Sequence, residues 1–152
     1  MRRGHMARRV FFSFHYKYVW KVNQIRSIPN ITGCAAAGFQ DASLWEEAKA
    51  KGNMVIKSMI DEGLKNTSVT VVFVTYGTTN RKYINYEIDQ SLVRGNGLVA
   101  VQIHHLKDKD GQIDPPGAIP PQIAANGFKA YKYTNKEALA RWIEEAAKLA
   151  GK

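Results

Sequence analysis

A single carboxylate stands beside an aromatic ring near the start of a predicted helix. Glu87 follows Tyr83 by four positions, so the two side chains lie on one stripe of that helix. The neighbouring stripe is apolar and comprises Ile84, Ile88 and Leu92. A carboxylate at the edge of a buried face can be partly desolvated and still reach a cleft. The pattern leaves a second interpretation equally open, in which Glu87 is a solvated surface residue.

Aromatic rings and hydroxyl groups are predicted to lie near this carboxylate. The rings are those of Phe14, Tyr16 and Tyr83, and the hydroxyls include those of Ser13 and Thr75. Aromatic faces stack on planar bases. A carboxylate beside a ribose can bond its hydroxyls and stabilise an oxocarbenium-like centre while a glycosidic bond breaks. These residue types favour a nucleotide with a good leaving base as the ligand.

The elements that would position these residues are apolar runs of strand length. Residues 69–74 directly precede the predicted helix, and Thr78 and Thr79 between them are predicted to cap it. Residues 10–14 and 98–103 are also continuously apolar, which is typical of strands buried on both faces. Residues 128–133 are predicted to form a last strand. A short edge strand is expected at residues 36–39, within the least regular part of the chain.

Helical patterns lie between the predicted strands. Val19, Val22, Ile25 and Trp20 indicate a helix that Pro29 ends. A capping box of Ser43 and Glu46 predicts a short helix to about Lys51, with Trp45 more often a core residue than a ligand at such a position.

Two further helices are predicted in the middle and at the end of the chain. Asn53 is expected to cap the first, whose apolar face comprises Val55, Ile56, Met59, Ile60 and Leu64. Thr134 and Glu137 form another capping box. The helix it opens is predicted to bury Leu139, Trp142, Ile143, Ala146 and Leu149.

Strands that alternate with helices predict an α/β fold with a parallel sheet of about five strands and helices on both faces. The simplest topology is flavodoxin-like, in which ligands bind outside the carboxyl ends of the strands, between the first and third strands. One wall of the predicted cleft comprises Ser13, Phe14, His15 and Tyr16. The other comprises Thr75, Tyr76 and Gly77, followed by Tyr83 and Glu87.

Length and composition favour one globular domain. The chain has 152 residues, of which 45% are hydrophobic and 23% charged. We expect a basic N-terminal extension at residues 1–7, part of which cloning could have added, and a single domain at residues 8–152. No apolar run approaches the roughly 20 residues that span a bilayer, and the Arg-rich start lacks the apolar core of a signal peptide. The expected location is the cytoplasm.

Several classes of site are disfavoured. One cysteine, Cys34, allows neither an internal disulfide nor a cysteine-based metal site. The phosphate-binding motifs of P-loop and Rossmann proteins are missing, and so are the acidic residues of a phosphoacceptor domain. His104 and His105 point to opposite sides of an extended chain and lack a fixed third ligand, so no metal is expected. The net charge of +9 favours anionic partners, but scattered lysines make nucleic acid an unlikely one.

Four stretches resemble the TIR domains of bacterial anti-phage defence. Residues 83–87, YINYE, are similar to the W-C-x-x-E pattern of TIR domains, and residues 81–91 as a whole match closely. The other stretches are residues 10–16, 38–49 and 63–70, so the resemblance covers roughly residues 8–110. Together they resemble the TIR-like ThsB subunit of Thoeris defence systems. Tyr83 stands where many members have Trp, which keeps an aromatic surface but adds a hydroxyl that could alter the product.

The resemblance implies a flavodoxin-like TIR fold and an enzyme that uses NAD+ as its substrate, without a separate cofactor. Glu87 would be the catalytic glutamate, and Ser13, Phe14, His15 and Tyr16 would line the nucleotide pocket. Asp41 would face the same cleft, or would be a turn or cap residue before the following helix. In the family, a phage-derived trigger starts NAD+ cleavage, and a cyclic ADP-ribose-type product activates a separate effector.

Two other readings of the resemblance stay open. A plain hydrolase would release linear ADP-ribose, and a non-catalytic TIR-like module would bind nucleotide or assemble with partners without turnover. A homo-oligomer is an expected form of either, since neighbouring protomers often complete TIR active sites. A nucleic-acid-binding domain is the third and weakest hypothesis, and it would show steep salt-dependent binding.

Overall fold

Five strands pair in parallel in one sheet. They are β1 (Arg8–Ser13), β2 (Ile31–Ala35), β3 (Val69–Val74), β4 (Gly97–Gln102) and β5 (Lys129–Lys132), in the spatial order β2-β1-β3-β4-β5. The computed structural model describes residues 8–25, 31–35 and 50–152, and only the backbone of Tyr16 and of residues 31–35. The strand order is the flavodoxin-like one. The predicted α/β fold is therefore confirmed.

A helix follows each described strand along the chain. These helices are α1 (Val19–Asn23), α2 (Asn53–Leu64), α3 (Lys82–Val93), α4 (Pro121–Ala125) and α5 (Lys136–Leu149). Two 3₁₀ turns, Tyr16–Tyr18 and Thr78–Asn80, directly follow the ends of β1 and β3. Among the described helices, none has the length and apolar character needed to cross a bilayer.

Both faces of the sheet are covered, and successive side chains of β3 pack into two different hydrophobic clusters. Phe73 belongs to a buried cluster that includes Leu139 and Ile143 of α5. Val72, which points the other way, belongs to a second cluster that includes Ile88 of α3. All six residues of β3 are buried, as the continuous apolar run predicted.

Two predicted helix caps are wrong by one position. Asn53 is the first residue of α2, and the capping position is Gly52, whose φ of 104° suits glycine. At α5 the cap is Asn135 and not Thr134. The Asn135 side-chain oxygen accepts a hydrogen bond of 2.8 Å from the backbone N–H of Ala138. Asn135 caps the helix because its extended backbone directs the carboxamide toward that N–H group.

Two predicted core residues are exposed. Trp20 has 53% of its surface exposed, because α1 is only five residues long and turns Val22 inward instead. Leu149, at the end of α5, is 50% exposed. Trp142 is half-buried and stacks on Tyr131 of β5, with ring centroids 4.4 Å apart.

The edge of the sheet was only partly predicted. The observed edge strand beside β1 is β2, which precedes the predicted position at residues 36–39. Residues 36–39, Pro29, the Ser43–Glu46 capping box and Trp45 lie outside the described residues. The five-residue helix α4 was not predicted, since it lies at the end of a proline-rich loop.

Candidate active site

The register of β1 points Ser13 toward α3. Ser13 is the register partner of Val72 on β3, and side chains of paired residues lie on the same face of a sheet. That face is the one that α3 covers. Ser13 ends β1 and is fully buried. The predicted cleft between the carboxyl ends of β1 and β3 therefore has α3 along its side.

Glu87 of α3 meets Ser13 at this point. The Ser13 hydroxyl donates a hydrogen bond of 2.5 Å to the Glu87 carboxylate oxygen Oε1. One turn further along, the Ser91 hydroxyl donates to the Glu87 backbone carbonyl at 2.7 Å and lies 2.6 Å from the Thr70 hydroxyl of β3. Only 3% of Glu87 is exposed. The alternative of a solvated surface glutamate is therefore wrong.

Burial controls the protonation of this carboxyl group. Loss of solvation raises the pKa of Glu87 from 4.5 to about 8, and the hydrogen bond from Ser13 opposes that rise in pKa. The carboxyl is consequently mostly protonated at neutral pH in the free protein. A positive charge brought next to it would favour the ionised form.

A cavity of about 240 Å³ opens over this carboxyl group. Its walls come from the segment after β1 and from the turn and first helical turns after β3. The lining residues are Phe14, His15, Asn80, Arg81, Lys82, Tyr83, Ile84 and Glu87. Glu87 thus lies almost wholly out of solvent and still contributes to the cavity wall.

The aromatic residues of the cavity are held from outside it. The Tyr83 hydroxyl donates a hydrogen bond to the side-chain oxygen of Asn53 on α2. The hydroxyl that distinguishes Tyr83 from tryptophan therefore ties α3 to α2. On the opposite wall, His15 Nδ1 accepts a hydrogen bond of 3.2 Å from the backbone N–H of Lys17.

The segment between β3 and α3 is organised by its own hydrogen bonds. The Thr78 hydroxyl accepts from the backbone N–H of Thr75 at 2.8 Å and donates to its carbonyl at 2.9 Å. The prediction that Thr78 or Thr79 caps α3 is therefore wrong, because Thr78 closes the turn itself. The capping position is Arg81, without a side-chain cap. Gly77 takes a φ of 81° in this turn.

The predicted site residues comprise those that line the cavity, those that do not line it, and those that the structure does not describe. Phe14, His15, Tyr83 and Glu87 line the cavity. Ser13 and Thr75 do not line it: Ser13 reaches the site through Glu87, and Thr75 belongs to the turn. Tyr76, named as a wall residue, is 64% exposed and does not line the cavity either.

The remaining two candidates are not placed. Asp41 and the side chain of Tyr16 lie outside what the structure describes. Their assignment to the cleft stays a prediction.

Four lining residues were not predicted, namely Asn80, Arg81, Lys82 and Ile84. A signal for two of them was present, because Arg81 and Lys82 are adjacent cations at the start of a helix that carries the candidate carboxylate. Ile84 was assigned to the buried face of α3, and it is 3% exposed while also forming part of the wall.

The histidine pair, His104 and His105, follows the carboxyl end of β4. The rings of His104 and His105 are 5.2 Å apart, and His105 Nε2 lies 2.8 Å from the carbonyl oxygen of Tyr133. In the described part of the chain, no three His, Cys, Asp or Glu residues are grouped so as to hold a metal ion. Neither histidine is among the residues that line the cavity.

Comparison with known proteins identifies the family of this chain. The family described as "Thoeris protein ThsB, TIR-like domain" has a sequence model that matches residues 11–108. The chain is also 44% identical over 119 residues to "Putative cyclic ADP-D-ribose synthase ThsB1" of Bacillus cereus (strain MSX-D12). That alignment covers 76% of this chain and 62% of the relative, so the chain spans less than two thirds of that protein's length. The matched residues include the end of β1, the whole of β3 and α3, and every described residue that lines the cavity. The chain belongs to the family of TIR-like domains of the Thoeris protein ThsB.

Proposed function

We propose that this protein cleaves NAD+ at the nicotinamide glycosidic bond and forms a cyclic ADP-ribose-type product. The observation that carries the proposal is the buried carboxyl of Glu87 at the wall of a cavity, in a member of the ThsB family. The name of the Bacillus cereus relative, which describes a cyclic ADP-D-ribose synthase, supports the same reaction.

Glu87 suits the first step because its environment favours a positive partner. NAD+ carries a positive pyridinium ring, and its approach favours ionisation of a carboxyl whose pKa is about 8. When the bond between ribose C1′ and nicotinamide breaks, the bonding electrons leave with neutral nicotinamide and positive charge develops on the ribosyl group. A carboxylate in a water-poor site stabilises that charge more strongly than one in bulk water.

A nucleophile within the same molecule would complete the reaction. A hydroxyl or a base nitrogen of the ADP-ribosyl group attacks C1′, and a hydroxyl loses its proton as the new bond forms. Holding the two reacting groups together raises their effective concentration by many orders of magnitude, so the internal nucleophile can outcompete water. The cavity of about 240 Å³ is small beside the roughly 300–1,000 Å³ of typical ligand pockets, so it would enclose only part of the dinucleotide.

The biological context is proposed from the family. A phage-derived trigger would start the reaction, and the diffusible product would activate a separate effector protein. NAD+ would be the substrate, with no further cofactor, and a homo-oligomer is the expected active form.

The product of the reaction tests the proposal. NAD+ is incubated with concentrated protein, with and without lysate from phage-infected cells, and the products are separated by chromatography with mass detection. We expect nicotinamide and a product with the mass of ADP-ribose less one water. Linear ADP-ribose as the main product would contradict cyclisation, and unchanged NAD+ in both mixtures would contradict the enzyme activity.

A further inference from the structure

Arg81 is a cation at the wall of the cavity, and none of the described residues pairs with its side chain. It is half-buried and lines the cavity together with Glu87. Within the residues that the structure describes, its guanidinium makes no hydrogen bond or ion pair. Two of the other arginines are engaged: Arg8 forms an ion pair of 2.7 Å with Glu144, and Arg94 donates to the carbonyl of Asp61 at 3.3 Å. An unpaired, half-buried guanidinium favours an anionic ligand in the space it faces.

The backbone holds Arg81 in a fixed position. It takes an extended conformation, with φ of −90° and ψ of 113°, between the 3₁₀ turn and α3. Its N–H donates to the Thr78 carbonyl at 3.1 Å, and its carbonyl accepts from the Asn85 N–H at 3.0 Å. The Asn85 side chain also donates to the Thr79 carbonyl at 3.0 Å. A ligand-binding side chain on such a fixed segment binds without first ordering the backbone.

The spacing between Arg81 and Glu87 suits two parts of one dinucleotide. Glu87 follows Arg81 by six positions, which corresponds to about 9 Å along a helix. In NAD+ the diphosphate follows the ribose whose C1′ carries nicotinamide. If Glu87 lies at that ribose, Arg81 on the wall of the same cavity is close enough for its long side chain to contact the diphosphate. Its planar fork can donate two parallel hydrogen bonds to phosphate oxygens, which a lysine cannot do.

We propose that Arg81 binds the diphosphate of the substrate and makes the cavity select a dinucleotide over a nucleoside. The inference rests on the proposed function, since it takes NAD+ as the ligand of this cavity. It adds a residue and a substrate part to which neither the sequence pattern nor the comparisons had assigned a role.

Binding of intact NAD+ to a protein that cannot cleave it tests this inference. Calorimetry would give the Kd of NAD+ for the full chain carrying Glu87→Gln, alone and combined with Arg81→Ala, Arg81→Lys or Arg94→Ala. We expect Arg81→Ala to raise the Kd about tenfold or more, as loss of a hydrogen-bonded charge pair does. Arg81→Lys should recover part of that loss. Arg94→Ala, which removes the same charge from the far end of α3, should change the Kd less than twofold.

A second ligand separates a diphosphate contact from a general disturbance of the cavity. Nicotinamide riboside lacks the diphosphate, so its Kd should be the same with and without Arg81→Ala. An equal loss for both ligands, or an unchanged Kd for NAD+, would overturn the inference and leave the proposed function standing. Failure of the Glu87→Gln protein to bind NAD+ at all would overturn the proposed function and the inference together.

Discussion

At the level of single residues, burial and a hydrogen bond act in opposite directions on the pKa of Glu87. Burial raises its pKa to about 8, whereas the hydroxyl of Ser13 donates to Oε1 and favours the ionised form. The free protein at neutral pH therefore carries mostly the neutral acid. The charge of the bound substrate would shift that balance toward the carboxylate. The two states predict different pH profiles for kcat/KM and for kcat.

The first prediction concerns these profiles. The value of kcat/KM reports the free enzyme, so we expect it to rise with pH through about 8 as Glu87 ionises. The value of kcat reports the substrate complex, in which the pyridinium favours ionisation, so it should level off at lower pH. Nicotinamide release measured from pH 6 to 9.5 checks both. A kcat/KM that is flat or falls across this range would contradict the assigned role.

The second prediction concerns Ser13 as a positioning residue. Ser13→Ala removes the hydrogen bond that lowers the pKa of Glu87, so the midpoint of the kcat/KM profile should move to higher pH. Activity at pH 7 should fall and recover in part at pH 9, and Ser13→Thr should retain the original midpoint. Ser91→Ala is the matched control, because Ser91 donates to the backbone of Glu87 and not to its carboxyl group. Equal shifts in Ser13→Ala and Ser91→Ala would contradict the proposed role.

Among the strands and helices, those with the clearest hydrophobic pattern are predicted best from the sequence. The positions of β3 and α3 agree with the continuous apolar run at residues 69–74 and with the helical spacing of Ile84, Ile88 and Glu87. Both are local patterns, and the tertiary structure does not override them. Burial of Glu87 was left undecided by its sequence. It depends on the register of β1 with β3, which points Ser13 toward α3 and is a tertiary property.

Caps and loop contacts were the least predictable elements. Thr78 and Asn53 are residue types that often cap helices. In the structure, however, the Thr78 hydroxyl accepts from the backbone of Thr75, and the Asn53 side chain accepts from the Tyr83 hydroxyl. The partnership of Lys21 and Asp114 could not be predicted either. Their sequence separation is large, and the ion pair joins α1 to the loop after β4.

This ion pair gives the third prediction. The Lys21 ammonium is fully buried, 2.5 Å from Asp114 Oδ2 and 3.1 Å from the carbonyl of His104. Asp114→Ala would leave a buried charge without its counter-ion and lower the free energy of unfolding by about 3 kcal/mol. Adding Lys21→Met should recover most of that loss, as measured by urea unfolding.

An exposed ion pair provides the control for that measurement. Lys65 and Glu62 lie 2.9 Å apart with most of their side chains in solvent. Glu62→Ala should therefore change the free energy of unfolding by less than about 1 kcal/mol. If Asp114→Ala costs no more than Glu62→Ala, the buried pair does not hold the loop to α1.

For the whole molecule, we expect the buried carboxyl of Glu87 to make the free energy of unfolding smaller as the pH rises. The folded pKa of Glu87, about 8, lies above its ordinary value of 4.5, so the folded protein binds one proton more than the unfolded chain between these pH values. The contribution of Glu87 is complete below pH 4.5 and is lost as the pH rises toward 8. Over that window the contribution of Glu87 to the free energy of unfolding falls by about 1.4 kcal/mol per pH unit.

The fourth prediction follows for Glu87→Gln, which cannot ionise. Its free energy of unfolding should exceed that of the wild type by an amount that grows from pH 5 to pH 8. Asp89→Asn, an exposed change on the same helix, should show no such growth. Urea unfolding at the two pH values gives the comparison. A difference between Glu87→Gln and wild type that does not change with pH would contradict the buried, protonated state of Glu87.

The central claim is that the carboxylate of Glu87 enables NAD+ cleavage. The most direct test is nicotinamide release from NAD+ by concentrated wild-type protein, Glu87→Gln and Asp89→Asn, assayed with lysate from infected cells. The account predicts release by wild type and Asp89→Asn, and a loss of about a thousandfold in Glu87→Gln, whose fold the urea experiment verifies. Release by Glu87→Gln at the wild-type rate would contradict it.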